Sequence, residues 1–281
     1  MSIEIHVNKS WHQTICYSWS SKKTPFDFFS LFFDSKMIKD ISKQTSLFFD
    51  QVNTKRGFQQ KFNSNWKNTN KSGFYIFLAC VMLMSHVIKP KLSNYWATDE
   101  FIRTPIFSNL FSRNRFWKIW KYLHFNNNKK GKPDNRLHKI SPILKHINGK
   151  FKSLFNPFQK LCLDESLMLY KGRLAFKQYI PSKRHQFGVK SFILCDCQTG
   201  FILDLLVYAG KKAIITNNDD IGISGSIVMQ MMQPYLNKGH QLFVDNWYSS
   251  PALFEKLQNH QTGACGTIRK NGNTFLAFQS K

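Results

Sequence analysis

Apolar positions recur at helical spacing through the first half of the chain and turn to short strand-like runs from Leu161 onward. Met37, Ile38, Ile41, Phe48 and Phe49 predict a helix with Asp34 or Ser35 as its N-cap, where a short polar side chain accepts from unpaired amides. The most apolar run, Gly73 to Ile88, predicts a second helix starting at Ser72 and stopped by Pro90. Ser85 and His86 interrupt it, and it is shorter than the roughly 20 residues that cross a bilayer, so a buried core helix is expected. Ser112 to His124 predicts a third helix, with Phe116, Ile119, Trp120 and Leu123 as its apolar face, and Pro142 to Phe155 a fourth. Residues 1–24 read as a loose polar segment. Asn53 to Lys71, Asn94 to Ile106 and the basic run Asn126 to Arg136 read as connections.

In the second half, Leu161 to Tyr170 and Gly188 to Cys195 read as strands. Gln198-Thr199-Gly200 is a turn and Phe201 to Tyr208 its hairpin partner. Ala213 to Gly225 is a polar connector. Ser226 to Leu236 is a helix whose Met229, Met231 and Met232 fill core space. Leu242 to Val244, Pro251 to Gln258 and Gly263 to Ile268 then read as strand, helix and strand. The pattern predicts an α/β class, a mixed sheet preceded by a mostly helical part.

Two strands carry the candidate chemistry. Leu161–Leu163 leads into Asp164 and Glu165, and Gln241–Val244 leads into Asp245. A carboxylate at a buried strand is costly unless a basic side chain or a cation compensates its charge. Two such strands, each taken to end on its Asp, could present both carboxylates to one hard cation. Pairing with nearby Lys or Arg is the competing explanation. By strand alternation Glu165 is expected to point to the opposite face from Asp164.

Charge narrows the partners. Forty Lys and Arg against 16 Asp and Glu give +24, beyond what solubility requires, and point to a polyanion, nucleic acid first. Residues 1–140 carry 23 basic against 8 acidic residues, and 141–281 carry 17 against 8. Arg113, Arg115, Lys118 and Lys121 interleave with aromatics on the third helix, a pattern suited to nucleic acid, although a core-packing helix with a solvated basic side has the same appearance. A membrane-surface role fits poorly, because that helix needs its apolar face for the core. The six cysteines form no C-x2-C pair and no secretory leader is read, so mostly buried, reduced thiols are expected.

Six motifs stand in order along the chain: YWATDEF with downstream TPIF, SRNRFWKIWKYLHFNNN, LDESLMLYKGRLAFKQYIPSK, FGVKSFILCDCQTGFILDLLVYAGKK, GHQLFVDNWYSS and GTIRKN. With these, from about Phe26 to about Asn271, the chain resembles piggyBac-type DDE transposases and the host proteins derived from them. The resemblance implies a ribonuclease H-like core over 157–281, a mostly helical dimerisation and DNA-binding region over 26–156, and a loose segment over 1–25. It implies Asp164 and Asp245 as catalytic, metal-binding carboxylates for Mg²⁺ or Mn²⁺. It implies double-stranded DNA as partner, at transposon ends and TTAA targets, a homodimer, and a nuclear location. Lys171, Arg173, Lys177, Lys190 and Arg269 join the four basic residues of the third helix as expected DNA contacts. In two-cation chemistry the ions sit roughly 3.5–4 Å apart and serve the attacking and leaving oxygens of an in-line displacement.

The chain also departs from the family pattern. The family's third Asp lies beyond the GT-x-R-x-N motif, and after Asp245 the only acid here is Glu255. Arg184 stands where the family usually has Pro, and Gly272 where it usually has Arg. A core incomplete at its C-terminus and impaired catalysis are therefore expected. Three readings remain open: a DNA-binding protein derived from a transposase, an active transposase that completes its site with another carboxylate, and a decaying element copy.

Overall fold

The computed structural model describes residues 24–56, 66–131, 135–181, 184, 186–210 and 220–267. The chain divides into two compact units, one spanning Lys22–His146 and the other containing Ile147–Lys281. The division falls inside a helix, ten residues before the boundary expected at 156/157.

The first unit is helical. It contains α1 (Pro25–Phe32), α2 (Ser35–Arg56), α3 (Lys71–His86), a 3-10 turn (Leu92–Trp96), α4 (Pro105–Leu110) and α5 (Arg113–Tyr122). Asp34 caps α2, its Oδ1 accepting from Met37 N–H at 2.9 Å, and Ser112 caps α5 by accepting from Arg115 N–H. Met37, Ile38, Ile41, Ser42 and Thr45 form the buried stripe of α2. Phe74, Phe77 and Cys80 do the same for α3, and Phe116, Ile119 and Tyr122 for α5. Trp120, expected on the apolar face of α5, is 47% exposed, and Tyr122 takes the buried place. The rings of Phe77 and Trp96 meet Phe116 at 5.1 and 4.9 Å. No helix among the described residues is long and apolar enough to cross a membrane.

The second unit is built on a six-stranded sheet. Its strands are β1 (Lys160–Leu169), β2 (Gln178–Tyr179), β3 (Phe187–Asp196), β4 (Ile202–Val207), β5 (Gln241–Val244) and β6 (Gly263–Gly266). β1, β3 and β4 pair antiparallel, while β5 and β6 run parallel to β1 on its other side. β2 pairs with the start of β3. The resulting order β4-β3-β1-β5-β6 is that of a ribonuclease H-like sheet. α6 (Ser141–Leu154) leads into it, α7 (Gly222–Met232) precedes β5, and α8 (Pro251–Asn259) joins β5 to β6. One face of the sheet carries Leu161, Leu163, Phe192, Leu194, Leu203, Leu242 and Val244, packed against Ile227, Val228, Met231 and Met232 of α7 and Leu253 and Leu257 of α8. Burial of such side chains is worth about 1.5–3 kcal/mol each and holds both helices on the sheet.

Asp196 ends β3 fully buried and closes the β3–β4 hairpin. It accepts from Phe158 N–H at 2.9 Å and from the N–H and hydroxyl of Thr199 at 2.8 and 2.7 Å. Gly200 supplies the positive φ (70°) that this turn needs. The cysteines depart from expectation. Cys80 is buried, but Cys162 and Cys195 are half-buried and Cys197 and Cys265 exposed. Strand register explains why. Cys195, Cys162, Phe243 and Cys265 are lateral neighbours across β3, β1, β5 and β6, on the face away from α7 and α8. Cys16 lies outside the described residues.

Candidate metal centre

The site forms where β5 stops and β1 continues. Parallel pairing of β1 with β5 runs from Lys160↔Gln241 to Leu163↔Val244, so Asp164 and Asp245 are the next residues on two adjacent strands. Asp245 ends its strand as expected. Asp164 does not: it lies in the middle of β1, which runs on to Leu169 beside β3. The antiparallel β3 strand supports the extension, and the missing β5 neighbour leaves an open edge beside Asp164.

That edge rearranges the carboxylates. Cys197 N–H donates to Lys160 O, which fixes the alternation of β1–β3 bonds and turns the Glu165 N–H toward the edge that β5 has vacated. Asp164 Oδ1 accepts from it at 2.7 Å, bending the Asp164 carboxylate back along its own strand. Asp245 Oδ1 accepts from Trp247 N–H at 2.9 Å in the turn that follows β5. As a result Asp164, Glu165 and Asp245 each offer a carboxylate oxygen within 4.8 Å of the others. Glu165 leaves β1 on the face opposite Asp164, as expected, but at this edge alternation does not keep the two carboxylates apart. Alternation separates side chains that leave a flat strand perpendicularly, not an aspartate folded along an open edge.

Asp164 and Asp245 are exposed and Glu165 is half-buried, and like charges at this separation repel one another. No described Lys or Arg forms an ion pair with any of the three. Glu165 Oε2 is buried without a hydrogen-bond partner. Oxygen-only donors and an orphaned buried oxygen suit a hard divalent cation, so the residues present fit a metal. Tyr248 lies against the cluster, 1% exposed. Burial first, then Glu165, Asp164 and Asp245, raise its phenol far above the usual value.

The other acids have separate roles. Asp204 pairs with Lys152 at 2.8 Å, Asp196 closes its hairpin, and Glu255 is exposed on α8 outside the cluster.

The basic residues divide between the two units. In the helical unit, Arg113 and Lys121 are exposed and Lys118 is half-buried. Lys121 Nζ lies 5.3 Å from the Tyr122 ring. Arg115 is engaged internally: it donates to Lys67 O and Thr69 Oγ1 and stacks on Trp66 at 5.2 Å, and burial lowers its pKa. In the sheet unit, Lys171 and Arg173 are exposed just after β1, and Lys177 Nζ sits 5.2 Å from the Phe187 ring. Lys190 Nζ lies 4.6 Å from the Trp247 ring, two residues from Asp245, and borders a half-open cleft of about 410 Å³ lined also by Phe192, Tyr208 and Ile227. Arg269 lies outside the described residues.

Comparison with known proteins bears on the family and the fold. A family model described as "Transposase IS4" matches residues 24–275. Human PiggyBac transposable element-derived protein 3 is 27% identical over 252 residues, covering 89% of this chain and 40% of its own length. Human PiggyBac transposable element-derived protein 2 is 24% identical over 260 residues, 89% of this chain and 41% of its own. A solved piggyBac transposase in a synaptic complex with hairpin DNA superposes with a TM-score of 0.76 at 21% identity, over 89% of this chain and 52% of that one. The chain thus spans about half the length of that transposase, or less than half of these human relatives. Matched over residues 24–275 and sharing its fold with a solved piggyBac transposase, the chain belongs to the IS4-type family of DDE transposases, as a piggyBac-like member.

Proposed function

We propose that this chain is a nuclear, DNA-binding protein of piggyBac transposase descent, that Asp164 and Asp245 hold Mg²⁺ or Mn²⁺, and that the ancestral chemistry of this site, phosphodiester cleavage and strand transfer at transposon ends and TTAA targets, is impaired here. The observation that carries this is the register of β1 and β5, which brings two Asp residues 81 positions apart onto adjacent strand positions. A bound cation pair supplies activation of the attacking oxygen and stabilisation of the leaving one. The residues themselves do the positioning. Backbone N–H groups of Glu165 and Trp247 fix one oxygen of each aspartate and leave the other for a ligand. Lys190, held over Trp247 at the rim, places positive charge where a DNA phosphate would approach. The DNA in the solved relative's complex supports the choice of substrate class.

The test is end cleavage by the purified chain with Mg²⁺ or Mn²⁺ and piggyBac-type ends, alongside DNA binding. Cleavage by the unaltered chain is expected to be weak, and Asp164→Asn and Asp245→Asn are expected to bring what there is to background while duplex binding persists. Cleavage undiminished in both variants would overturn the site. A second reading, binding without cleavage, is favoured by the +24 charge, which needs no metal to act. Duplex binding with no cleavage by the unaltered chain would put it ahead. A fluorescent fusion excluded from nuclei would remove the nuclear part of the proposal.

A further inference from the structure

We propose that Glu165 is a third oxygen ligand of this cation site and that the Tyr248 hydroxyl positions it. The inference rests on the reading of Asp164 and Asp245 as cation ligands and adds a residue which that reading does not use.

Two independent observations meet here. The first is placement. Glu165 pairs with Phe192 across β1 and β3, on the face where the Tyr248 ring also packs against Phe192 at 6.3 Å. Yet a Glu165 carboxylate oxygen lies within 4.8 Å of oxygens of both Asp164 and Asp245. Its longer side chain reaches the open edge from the core face, while the aspartates reach it along the strands. The cluster is thus supplied from two sides of β1.

The second is an unmet need for hydrogen bonds. Tyr248 is 1% exposed, and its hydroxyl approaches the Glu165 carboxylate. Neither that hydroxyl nor Glu165 Oε2 makes a well-formed hydrogen bond. A buried phenol and a buried carboxylate oxygen left unsatisfied are each costly, and a bound water or ion is one way such atoms are satisfied. A divalent cation meets that need. With one carboxylate oxygen on the cation, the other is fixed to accept the Tyr248 O–H, and the phenol orients the ligand as hydrogen-bonded partners of metal ligands do. A water bridging Tyr248 and Glu165 would satisfy the same two atoms, and Mn²⁺ titration distinguishes it from a cation.

Mn²⁺ titration of the full chain tests this, followed by calorimetry and by thermal unfolding in EDTA and in Mn²⁺. Glu165→Gln is expected to weaken Mn²⁺ binding at least ~10-fold and to remove the Mn²⁺-induced rise in Tm, with Tm in EDTA at or above that of the unaltered chain because one like charge is gone. Tyr248→Phe is expected to weaken Mn²⁺ binding roughly 10-fold through its effect on Glu165, and to have little further effect when added to Glu165→Gln. If Glu165→Gln binds Mn²⁺ normally while Asp164→Asn and Asp245→Asn do not, Glu165 is no ligand and the two-aspartate site stands alone. If Glu165→Gln lowers Tm equally with and without Mn²⁺, its role is structural and the inference fails. If the unaltered chain binds no Mn²⁺, the cation site fails with it.

Discussion

His240 is 3% exposed where the chain enters β5, and its Nδ1 faces the carbonyls of Phe158 and Gln159 at 3.1 and 3.3 Å. Burial is the largest influence on it and lowers its pKa from the ordinary 6.5. A buried imidazole held neutral makes stability depend on pH in one direction. As pH falls through about 6.5 the unfolded chain takes up the proton first, so stability present above that pH is lost below it. His240→Asn keeps a donor at the Nδ1 position and removes the titration. Its Tm between pH 7.5 and 5.5 is expected to fall less steeply than that of the unaltered chain. Single residues were unevenly legible in the sequence. Asp164 and Asp245 stood out because each follows an apolar strand run. Glu165 did not, because its place in the cluster depends on where β5 ends, which is a property of two strands 81 residues apart. Asp196 was equally opaque: only the folded hairpin shows its carboxylate taking three hydrogen bonds.

At the scale of elements, the long helices were legible, and of the short ones α8 was while α1 and α4 were not. α2, α3, α5 and α6 run 10 to 22 residues, enough turns for an apolar stripe to repeat. α1 and α4 have 8 and 6 residues, too few for periodicity, though each begins with Thr-Pro. At α1 the Thr24 and Asp27 side chains form a capping box that the T-P-F-D sequence announces. The α2 cap gives a measurable consequence. Asp34→Ala removes the Met37 N–H acceptor and a contact to His146 at 3.7 Å, and is expected to lower stability by about 0.5–2 kcal/mol in urea unfolding. Asp34→Asn keeps an equally good cap and should recover most of that loss. The strand read over Leu161 to Tyr170 matches β1, Lys160–Leu169, whereas taking it to end on Asp164 does not hold, because β3 alone keeps its last five residues extended.

For the whole molecule, charge governs behaviour before any particular contact does. A chain at +24 that covers about six DNA phosphates should lose roughly a thousand-fold in duplex affinity between 50 and 200 mM salt. A log–log salt plot with no slope would remove DNA as the partner. The sheet's connectivity has a different consequence, which lies in time. β1 and β3 meet through a connection of 17 residues, from Tyr170 to Gln186, whereas β5 reaches β1 only after 71, from Tyr170 to His240. Loop-closure entropy grows with separation, and non-local parallel pairing is slow to form. The antiparallel hairpins are therefore expected to assemble first, with the β1–β5 rung closing near the end of folding. Since Asp164 and Asp245 come together only through that rung, the carboxylate cluster is created at the last step, and a nascent or partly unfolded chain has no such centre to misuse.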